Sequence, residues 1–261
     1  NTSSSQHRDS HRSLTRRSFG VLALGSFSAL ALAACGSSNS SDASSASTSA
    51  KPAPSALPSG MGSAAGDGEF PRTVKHFRGE TKIESAPKSV VILSTGQLDD
   101  VLALGLVPIG AATANDADLV PEYLKTKFSD KSAELDKIAK VGKRTEPRLG
   151  AIANLHPDLI LINNTNKKEG VYSSLSKIAP TVVTEGTGHN WKQDFLMIAS
   201  ALGTTSKAEE MLKDYEDKAK KLGEKAGQEK TFSFLYAAGD RTRVYAKPSF
   251  VGSICEDASL T

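Results

Sequence analysis

Few side chains in this sequence have the types and spacing that covalent or metal chemistry requires. The chain has two cysteines, Cys35 and Cys255, and no CxxC pair. Of the five histidines, the three that follow residue 70, namely His76, His156 and His189, stand far apart and lack the short spacing of metal ligands. The sequence also has no GxSxG, GxxxxGKS/T or HExxH motif. We therefore predict a protein that binds a ligand without catalysis and holds no metal of its own. An exported α/β hydrolase is the remote alternative.

Cys35 belongs to the most specific motif of the N-terminal region. It ends the segment Leu32-Ala33-Ala34-Cys35, which resembles a bacterial lipobox, whose cysteine is acylated. The preceding residues are polar and basic up to residue 18 and mostly apolar over residues 19–31, a run shorter than the roughly 20 residues that span a membrane. We predict an export signal over residues 1–34. A lipid on Cys35 would then anchor the protein on the extracytoplasmic face of the membrane.

Two details of this region bear on export and on the cysteines. Arg16 and Arg17 resemble a twin-arginine export signature, although an ordinary signal also begins with basic residues. If Cys35 is lipidated, the chain can form no intramolecular disulfide. Cys255 is then best interpreted as a packed, small apolar residue.

Charge is distributed unevenly along the 261 residues. Residues 1–34 carry four arginines and one aspartate, and these account for the whole formal net charge of +3. The rest of the chain has equal numbers of acidic and basic residues. A neutral body has no overall electrostatic attraction to nucleic acid, so we expect no nucleic-acid partner.

A change of composition separates a tether from a folded body. Residues 36–66 are almost entirely Ser, Ala, Gly and Pro, which bury too little apolar surface to order a chain, so we predict a flexible tether over residues 35–69. Strands and helices then alternate, which indicates a parallel sheet covered on both faces. The predicted strands cover residues 89–93, 107–111, 159–162 and 181–183, and the predicted helices cover residues 97–104, 147–155, 173–178 and 191–202.

Two polar residues follow the first predicted strand. Thr95 and Gln97 lie between the strand at 89–93 and the helix at 97–104. Ligands of α/β folds bind at the carboxyl ends of parallel strands, beside helix N-termini. We interpret both residues as ligand contacts, although capping of the helix explains Thr95 equally well.

The clearest helical periodicity lies over residues 207–226, where apolar residues form one stripe and acid-before-base pairs occupy the other faces. A helix of this length is about 30 Å long. An ordinary surface helix would show the same pattern. Its position after one α/β unit favours a rigid connection between two lobes. Strands are predicted at 231–236 and 243–246, and a helix at 249–257.

Several short motifs of the body occur in a fixed order. They are Trp191 and the segments 87–91, 102–106, 141–147, 152–161, 178–182, 202–203, 243–245 and 249–254. Behind the lipobox and the tether, these motifs resemble the substrate-binding lipoproteins of bacterial ABC importers for iron–siderophore complexes, the class III periplasmic binding proteins. The resemblance implies an α/β fold of two lobes joined by a single long helix. The first lobe would cover residues 70–205, the helix 206–227, and the start of a second lobe, incomplete in this chain, 228–261.

The resemblance also implies a function. We expect a monomer that captures a ferric siderophore outside the membrane and delivers it to an ABC transporter permease. A siderophore brings its own iron ligands, so no protein cofactor is expected. A binding protein of the same fold for haem, cobalamin or a metal ion is the main alternative. A purely structural surface lipoprotein is another.

The same resemblance places residues in the site. Arg144 and Trp191 would face the cleft from the first lobe, although a solvated loop charge and a core residue are the respective alternatives. The ligand contacts from the second lobe would be Tyr236, Arg241, Arg243, Tyr245 and Phe250. The family presents acidic residues to permease arginines, and here Gly150 stands at the aligned position of the first lobe. Glu146 would substitute for it, and Glu256, or Asp257 beside it, would serve in the second lobe.

Overall fold

The computed structural model describes residues 52–114, 117–166, 168, 170–186, 188–227, 232–239 and 241–260. The predicted export signal and the lipid anchor at Cys35 lie outside these residues. No helix within the described ranges combines the length and the apolar character needed to cross a membrane.

The body opens with a β-hairpin that the sequence analysis missed. Strand β1 (Arg72–His76) pairs antiparallel with β2 (Gly79–Ile83), and alternate residues of β1 are buried. Two of the three buried residues, Arg72 and His76, are polar, so the apolar alternation that reveals a strand is absent. The Arg72 guanidinium donates hydrogen bonds to the carbonyl oxygens of Glu69, Gly66 and Ser200. These bonds provide the partners that a buried charged group needs.

A six-stranded sheet forms the centre of the fold. Its order is β6-β5-β4-β3-β7-β8, and all neighbouring strands are parallel except β5 and β6. The strands are β3 (Val90–Ile92), β4 (Gly110–Thr113), β5 (Ala139–Lys143), β6 (Glu146–Pro147), β7 (Leu159–Asn163) and β8 (Thr181–Thr184). The sequence predicted β3, β7 and β8 because their apolar runs are continuous, as in a sheet covered on both faces.

The two faces of the sheet have separate apolar cores. Val90 and Ile92 of β3 point to one core, whereas Val91 points to the other. β7 alternates in the same way, which follows from the two-residue repeat of a strand. Short helices cover these faces or lie in the connections, and they are α1 (Gln97–Ala103), α2 (Glu122–Lys127), α3 (Ser132–Leu135), α4 (Leu149–Ala153) and α5 (Val171–Ser176).

Two predicted boundaries near prolines are wrong. The strand predicted at 107–111 forms at Gly110–Thr113, since Pro108 has no N–H to donate to a neighbouring strand. Pro147, predicted in the first turn of a helix, instead pairs with Gly142 in the tight β5–β6 hairpin. Helix α4 therefore begins later, at Leu149. β5, α2 and α3 were not predicted from the sequence.

Two consecutive helices follow β8 and pack against each other. Helix α6 (Trp191–Leu202) ends as predicted at Gly203, which adopts the left-handed conformation with φ 74°. Helix α7 (Thr205–Ala226) matches the predicted amphipathic helix, and its buried residues include Ala208, Leu212 and Ala219. The apolar stripe of α7 thus joins the core on the α6 side of the sheet.

The predicted tether extends too far along the chain. Leu57 and Met61 pack against the main core, and Gly62 forms a β-bridge with Lys75. The Asp67 carboxylate accepts hydrogen bonds from the backbone N–H groups of Thr205 and Ser206, at 2.7 and 2.9 Å. It therefore caps the N-terminus of α7 from a segment assigned to the tether. The boundary predicted at residue 69 lies too late.

The last described elements are a small hairpin and a helix. Strand β9 (Leu235–Ala238) pairs antiparallel with β10 (Arg241–Val244), so both strands lie a few residues from their predicted positions. Helix α8 (Phe250–Asp257) lies within the predicted range and is capped by Ser249, whose Oγ accepts the N–H of Gly252 at 3.0 Å. α8 packs against the C-terminal part of α7, where Gly223 leaves room for the Ala258 backbone.

Candidate ligand-binding site

A polar cavity lies at the carboxyl ends of β3, β5 and β7. Its volume is about 400 Å³, and we call it the Arg144 cavity. It is lined by Ser94, Arg144, Thr145, Asn163, Thr165, Asn166 and Lys168. Because the strands are parallel, their carboxyl ends bring residues from three separate parts of the chain to one edge. Of these seven residues, only Arg144 was predicted from the sequence as a ligand contact.

Hydrogen bonds fix the backbone around Arg144. Its N–H donates to the carbonyl oxygen of Thr113 at 2.9 Å, and its own carbonyl accepts from Asn166 Nδ2 at 3.0 Å. Asn163 is held by Ser94 Oγ, which accepts its N–H at 2.9 Å. The side chain of Arg144 is exposed. The cavity therefore presents a guanidinium from a fixed backbone position, together with the ammonium of Lys168 and several amide and hydroxyl groups.

A second, mainly apolar cavity lies between α1, α6, α7 and α8. Its volume is about 630 Å³, and we call it the Trp191 cavity. It is lined by Thr95, Gly96, Gln97, Asp99, Asp100, Ala103, Tyr123, Gly188, Trp191, Asp194, Phe195, Met211, Leu212, Tyr215, Phe250 and Ile254. Four predicted contacts, Thr95, Gln97, Trp191 and Phe250, meet here. The structure thus places Arg144 and Trp191 in different cavities.

Trp191 is half-buried and makes several contacts inside the fold. Its ring meets Tyr215 edge-on with centroids 5.1 Å apart, and Phe250 at 5.9 Å. Its Nε1 donates to Ser253 Oγ at 3.1 Å. Trp191 consequently packs against α7 and α8 and also lines a cavity, and its role as a ligand contact stays a prediction.

Three carboxylates lie around the Trp191 cavity. Asp194 accepts the backbone N–H groups of Glu185 and Gly186 at 2.9 and 3.0 Å, yet burial raises its pKa to about 7. Burial, and then repulsion from Asp194 and Asp99, also raises the pKa of Asp100. Asp99 accepts the hydroxyl of Tyr123 at 2.5 Å. None of these acids was predicted from the sequence.

A buried ion pair fixes α8 beside this cavity. Lys192 is only 2 % exposed, and its Nζ lies 2.6 Å from Asp257 Oδ1 and 3.0 Å from Glu216 Oε1. Burial alone would lower the pKa of Lys192, but the hydrogen bonds to Asp257 and Glu216 outweigh it and raise the pKa. Tyr215 also donates to Asp257, at 3.0 Å. The network joins α6, α7 and α8 through one carboxylate.

Comparison with known proteins decides the family. The profile of the family described as periplasmic binding protein matches residues 90–259 of the chain. The chain belongs to the periplasmic binding protein family. The probable siderophore-binding lipoprotein YfiY of Bacillus subtilis is 35% identical over 188 residues, which are 71% of this chain and 55% of YfiY.

Solved structures of similar proteins agree with this family. Staphylococcus aureus SirA, crystallised with staphyloferrin B, is 34% identical with a TM-score of 0.62, over 72% of this chain and 63% of SirA. The petrobactin-binding protein YclQ of Bacillus subtilis is 30% identical with a TM-score of 0.56, over 72% of this chain and 65% of YclQ. The predicted class III fold is confirmed, with α7 as its long helix. The chain spans less than two thirds of the length of these relatives.

The predicted second-lobe contacts of this periplasmic binding protein lie mostly on the β9–β10 hairpin. Tyr236 and Tyr245 meet edge-on at 6.5 Å, and Arg241 and Arg243 are exposed on β10. All four lie outside the residues that line the two cavities. Phe250 alone of this group lines one of them. The ligand role of the hairpin residues stays a prediction.

The predicted permease-docking residues have different surroundings. Glu146 is exposed on β6, and Gly150 is exposed on α4 with open space beside it. Glu256 is partly exposed near the end of α8. Asp257 instead binds Lys192 and Tyr215, so its carboxylate is already occupied. Docking through Glu146 and Glu256 stays a prediction.

Within the described ranges, no three His, Cys, Asp or Glu side chains are grouped to hold a metal ion. His76 is buried and bonded to Thr81 Oγ1 at 2.9 Å, and burial lowers its pKa to about 4. Cys255 is a half-buried free thiol whose pKa burial raises. A raised pKa leaves less thiolate and makes this cysteine a poor nucleophile.

Proposed function

We propose that this chain captures a ferric siderophore and delivers it to the permease of an ABC importer. The Arg144 cavity carries the proposal. Its described lining includes Arg144, Lys168, amides and hydroxyls, and it includes no histidine, cysteine or carboxylate. Such a lining binds oxygen-rich or anionic ligands through hydrogen bonds and does not compete for iron with the siderophore's own oxygens.

The same lining supports a binding role without catalysis. A hydrolase needs a nucleophile beside a base, and the lining hydroxyls of Ser94, Thr145 and Thr165 have no histidine or carboxylate next to them in the described cavity. The names and ligands of the similar proteins YfiY, SirA and YclQ point to siderophores as the substrate class. Export, attachment through a lipid on Cys35, a monomeric state and contact with a permease complete the proposal.

The proposal is tested by calorimetric titration of the full chain with ferric and iron-free citrate, catecholate and hydroxamate siderophores. We expect saturable binding of at least one ferric form. Arg144→Ala should weaken that binding at least tenfold, because one bidentate, charge-assisted contact is lost. Arg148→Ala is the matched control, since Arg148 donates to the Lys140 carbonyl and does not line the cavity.

Two results would contradict the proposal. One is the absence of saturable binding to any ferric siderophore while the circular dichroism spectrum shows a folded protein. The other is tight binding of haem, cobalamin or a free metal ion with no ferric siderophore bound, which would favour the alternative within this fold.

A further inference from the structure

The Trp191 cavity differs in chemistry from the Arg144 cavity. Neighbouring residues of the chain line the two cavities, since Ser94 lines the Arg144 cavity and Thr95 lines the Trp191 cavity. The described lining of the Trp191 cavity has three carboxylates and no lysine or arginine. Five of its lining side chains are aromatic, namely Tyr123, Trp191, Phe195, Tyr215 and Phe250. A positively charged organic group is complementary to both features.

Gln97 supplies an independent indication of a ligand. Its side chain is 98 % buried, with 2 % exposed, and it lines the cavity. Its Oε1 accepts the backbone N–H groups of Leu93 and Ser94 at 3.2 and 3.0 Å, which fixes the orientation of the amide. Its Nε2 has no hydrogen-bond partner among the described residues. A buried donor without a partner costs about 1–3 kcal/mol, so an acceptor atom in the cavity would stabilise this arrangement.

A side-chain cation already lies near two of the aromatic rings. The Nζ of Lys192 lies 5.7 Å from the ring centroids of both Trp191 and Tyr215, although Lys192 does not line the cavity and is paired with Asp257 and Glu216. Burial raises the pKa values of Asp100 and Asp194, and repulsion from Asp194 and Asp99 raises the pKa of Asp100 further. A cation in the cavity would relieve this repulsion.

We propose that the Trp191 cavity binds an organic ammonium group that also carries a hydroxyl or carbonyl oxygen. The ammonium lies beside Asp100 and Asp194, and the apolar part of the ligand packs among the rings of Trp191 and Phe250. The ligand oxygen accepts from Gln97 Nε2. This site goes beyond the proposed capture of iron complexes and does not depend on it.

Three aromatic probes of similar size test the site at pH 7.5 with the full chain. Phenylalaninol carries an ammonium and a hydroxyl, 3-phenylpropylamine lacks the hydroxyl, and 3-phenylpropan-1-ol lacks the ammonium. Trp191 is the chain's one tryptophan, so its fluorescence reports binding directly. We expect phenylalaninol to bind at least tenfold more tightly than the alcohol, with the amine between them.

Substitution of an aspartate tests whether the acidic side chains cause the preference for ammonium probes. Asp100→Asn should remove most of the preference for the two ammonium probes and leave binding of the alcohol unchanged. Asp214→Asn is the matched control, because Asp214 pairs with Lys218 on the exposed side of α7. Equal affinity for all three probes, or no saturable response in the wild-type chain, would overturn the proposal. Both results are measured with the wild-type chain, so neither depends on whether a variant folds.

The ammonium could belong to a free amine or to an arm of a bound iron complex, and competition separates these sources. Ferrioxamine B carries a free terminal ammonium, and its N-acetyl derivative does not. Displacement of phenylalaninol by ferrioxamine B alone identifies the arm of an iron complex. No displacement by either complex identifies a free amine, whereas equal displacement by both would contradict recognition of the ammonium. Because phenylalaninol contains no iron, the cavity can fail this test while ferric siderophore capture succeeds, or the reverse.

Discussion

At the scale of single residues, two buried titratable groups change the stability of the fold in opposite directions as the pH changes. Burial lowers the pKa of His76 to about 4 and raises the pKa of Asp194 to about 7. Below about pH 6.5, His76 binds a proton in the unfolded chain but stays neutral in the folded protein down to about pH 4. Its contribution to stability therefore falls as the pH drops. Folded Asp194 keeps a proton that the unfolded residue releases above about pH 4, so its contribution falls as the pH rises towards 7.

His76→Gln should remove the acid-sensitive contribution. We expect the difference in free energy of unfolding between wild type and variant to shrink by about 1–2 kcal/mol between pH 7 and pH 4.5, after allowance for solvent screening. Urea unfolding at several pH values measures it. His156→Asn is the control, because His156 is exposed and asparagine tolerates its φ of 47°. A pH-independent difference for His76→Gln would contradict the assignment.

The Lys192 network makes a second prediction at this scale. Lys192→Met leaves Asp257 without its cation inside the α6–α7–α8 contact, so we expect a loss of roughly 2–4 kcal/mol in the free energy of unfolding. The near-ultraviolet signal of Trp191 should weaken as well, since α8 carries its partner Ser253. Lys213→Met is the comparison, because its pair with Asp217 is exposed. Equal stability of the two variants would show that the buried pair has no structural role.

At the scale of elements, the contact between α7 and α8 depends on a residue without a side chain. A Cβ at Gly223 would lie 1.6 Å from the carbonyl oxygen of Ala258, a backbone atom that cannot move alone. Gly150 on α4 has nothing within 4 Å of the same position. Two helical glycines in one chain therefore differ only in their surroundings.

Alanine substitutions at these glycines should have opposite effects. Gly223→Ala should destabilise the fold by about 1–3 kcal/mol and displace α8. Gly150→Ala should stabilise it by about 0.5–1 kcal/mol, because alanine loses less backbone entropy in a helix. Thermal unfolding and the near-ultraviolet spectrum report both. A neutral Gly223→Ala would mean that α8 does not pack as described.

At the scale of the whole molecule, burial is distributed unevenly. The strands β3 and β7 are fully buried, whereas every residue of β10 is exposed. Leu235 and Val244 of the hairpin and Phe232 just before it are large apolar residues exposed to 66, 68 and 43 %. Regions with few buried apolar contacts open at low free energy, so local stability should decrease from the sheet to the hairpin.

Hydrogen exchange should show this gradient. Amides of β3 and β7 should be protected at least a hundredfold more than those paired between β9 and β10. The β1–β2 hairpin is the internal comparison, since it is also two-stranded but packs on β8. Equal protection in the two hairpins would contradict the burial that separates them.

Much of the fold could be predicted from local sequence. The continuous apolar runs of β7 and β8, the stripe of α7, the end of α6 at Gly203 and the start of α8 at Ser249 are signals carried by neighbouring residues. The prediction failed where a polar side chain took a core position, as at Arg72 and His76 in β1. It also failed where pairing across a turn competed with helix formation, as at Pro147.

The candidate site was only partly predictable. Arg144, Gln97 and Trp191 were named, but Lys168, Asp100, Asp194 and Lys192 were not. Their significance comes from partners distant in sequence, such as the 65 residues that separate Lys192 from Asp257. A lysine or aspartate in a helix has no local mark that distinguishes a solvated charge from a buried one.

The sequence by itself determined the family, the order of most elements and the long helix α7, because motif order, apolar periodicity and glycine or serine boundaries are local properties of the chain. Only the tertiary structure separated Arg144 from Trp191, gave one cavity a basic lining and the other an acidic and aromatic one, and brought Asp67 to the start of α7. The physical reason is that burial and electrostatic pairing depend on which distant segments meet. In the Trp191 cavity, the packing of α1, α6, α7 and α8 decides which of these segments are in contact.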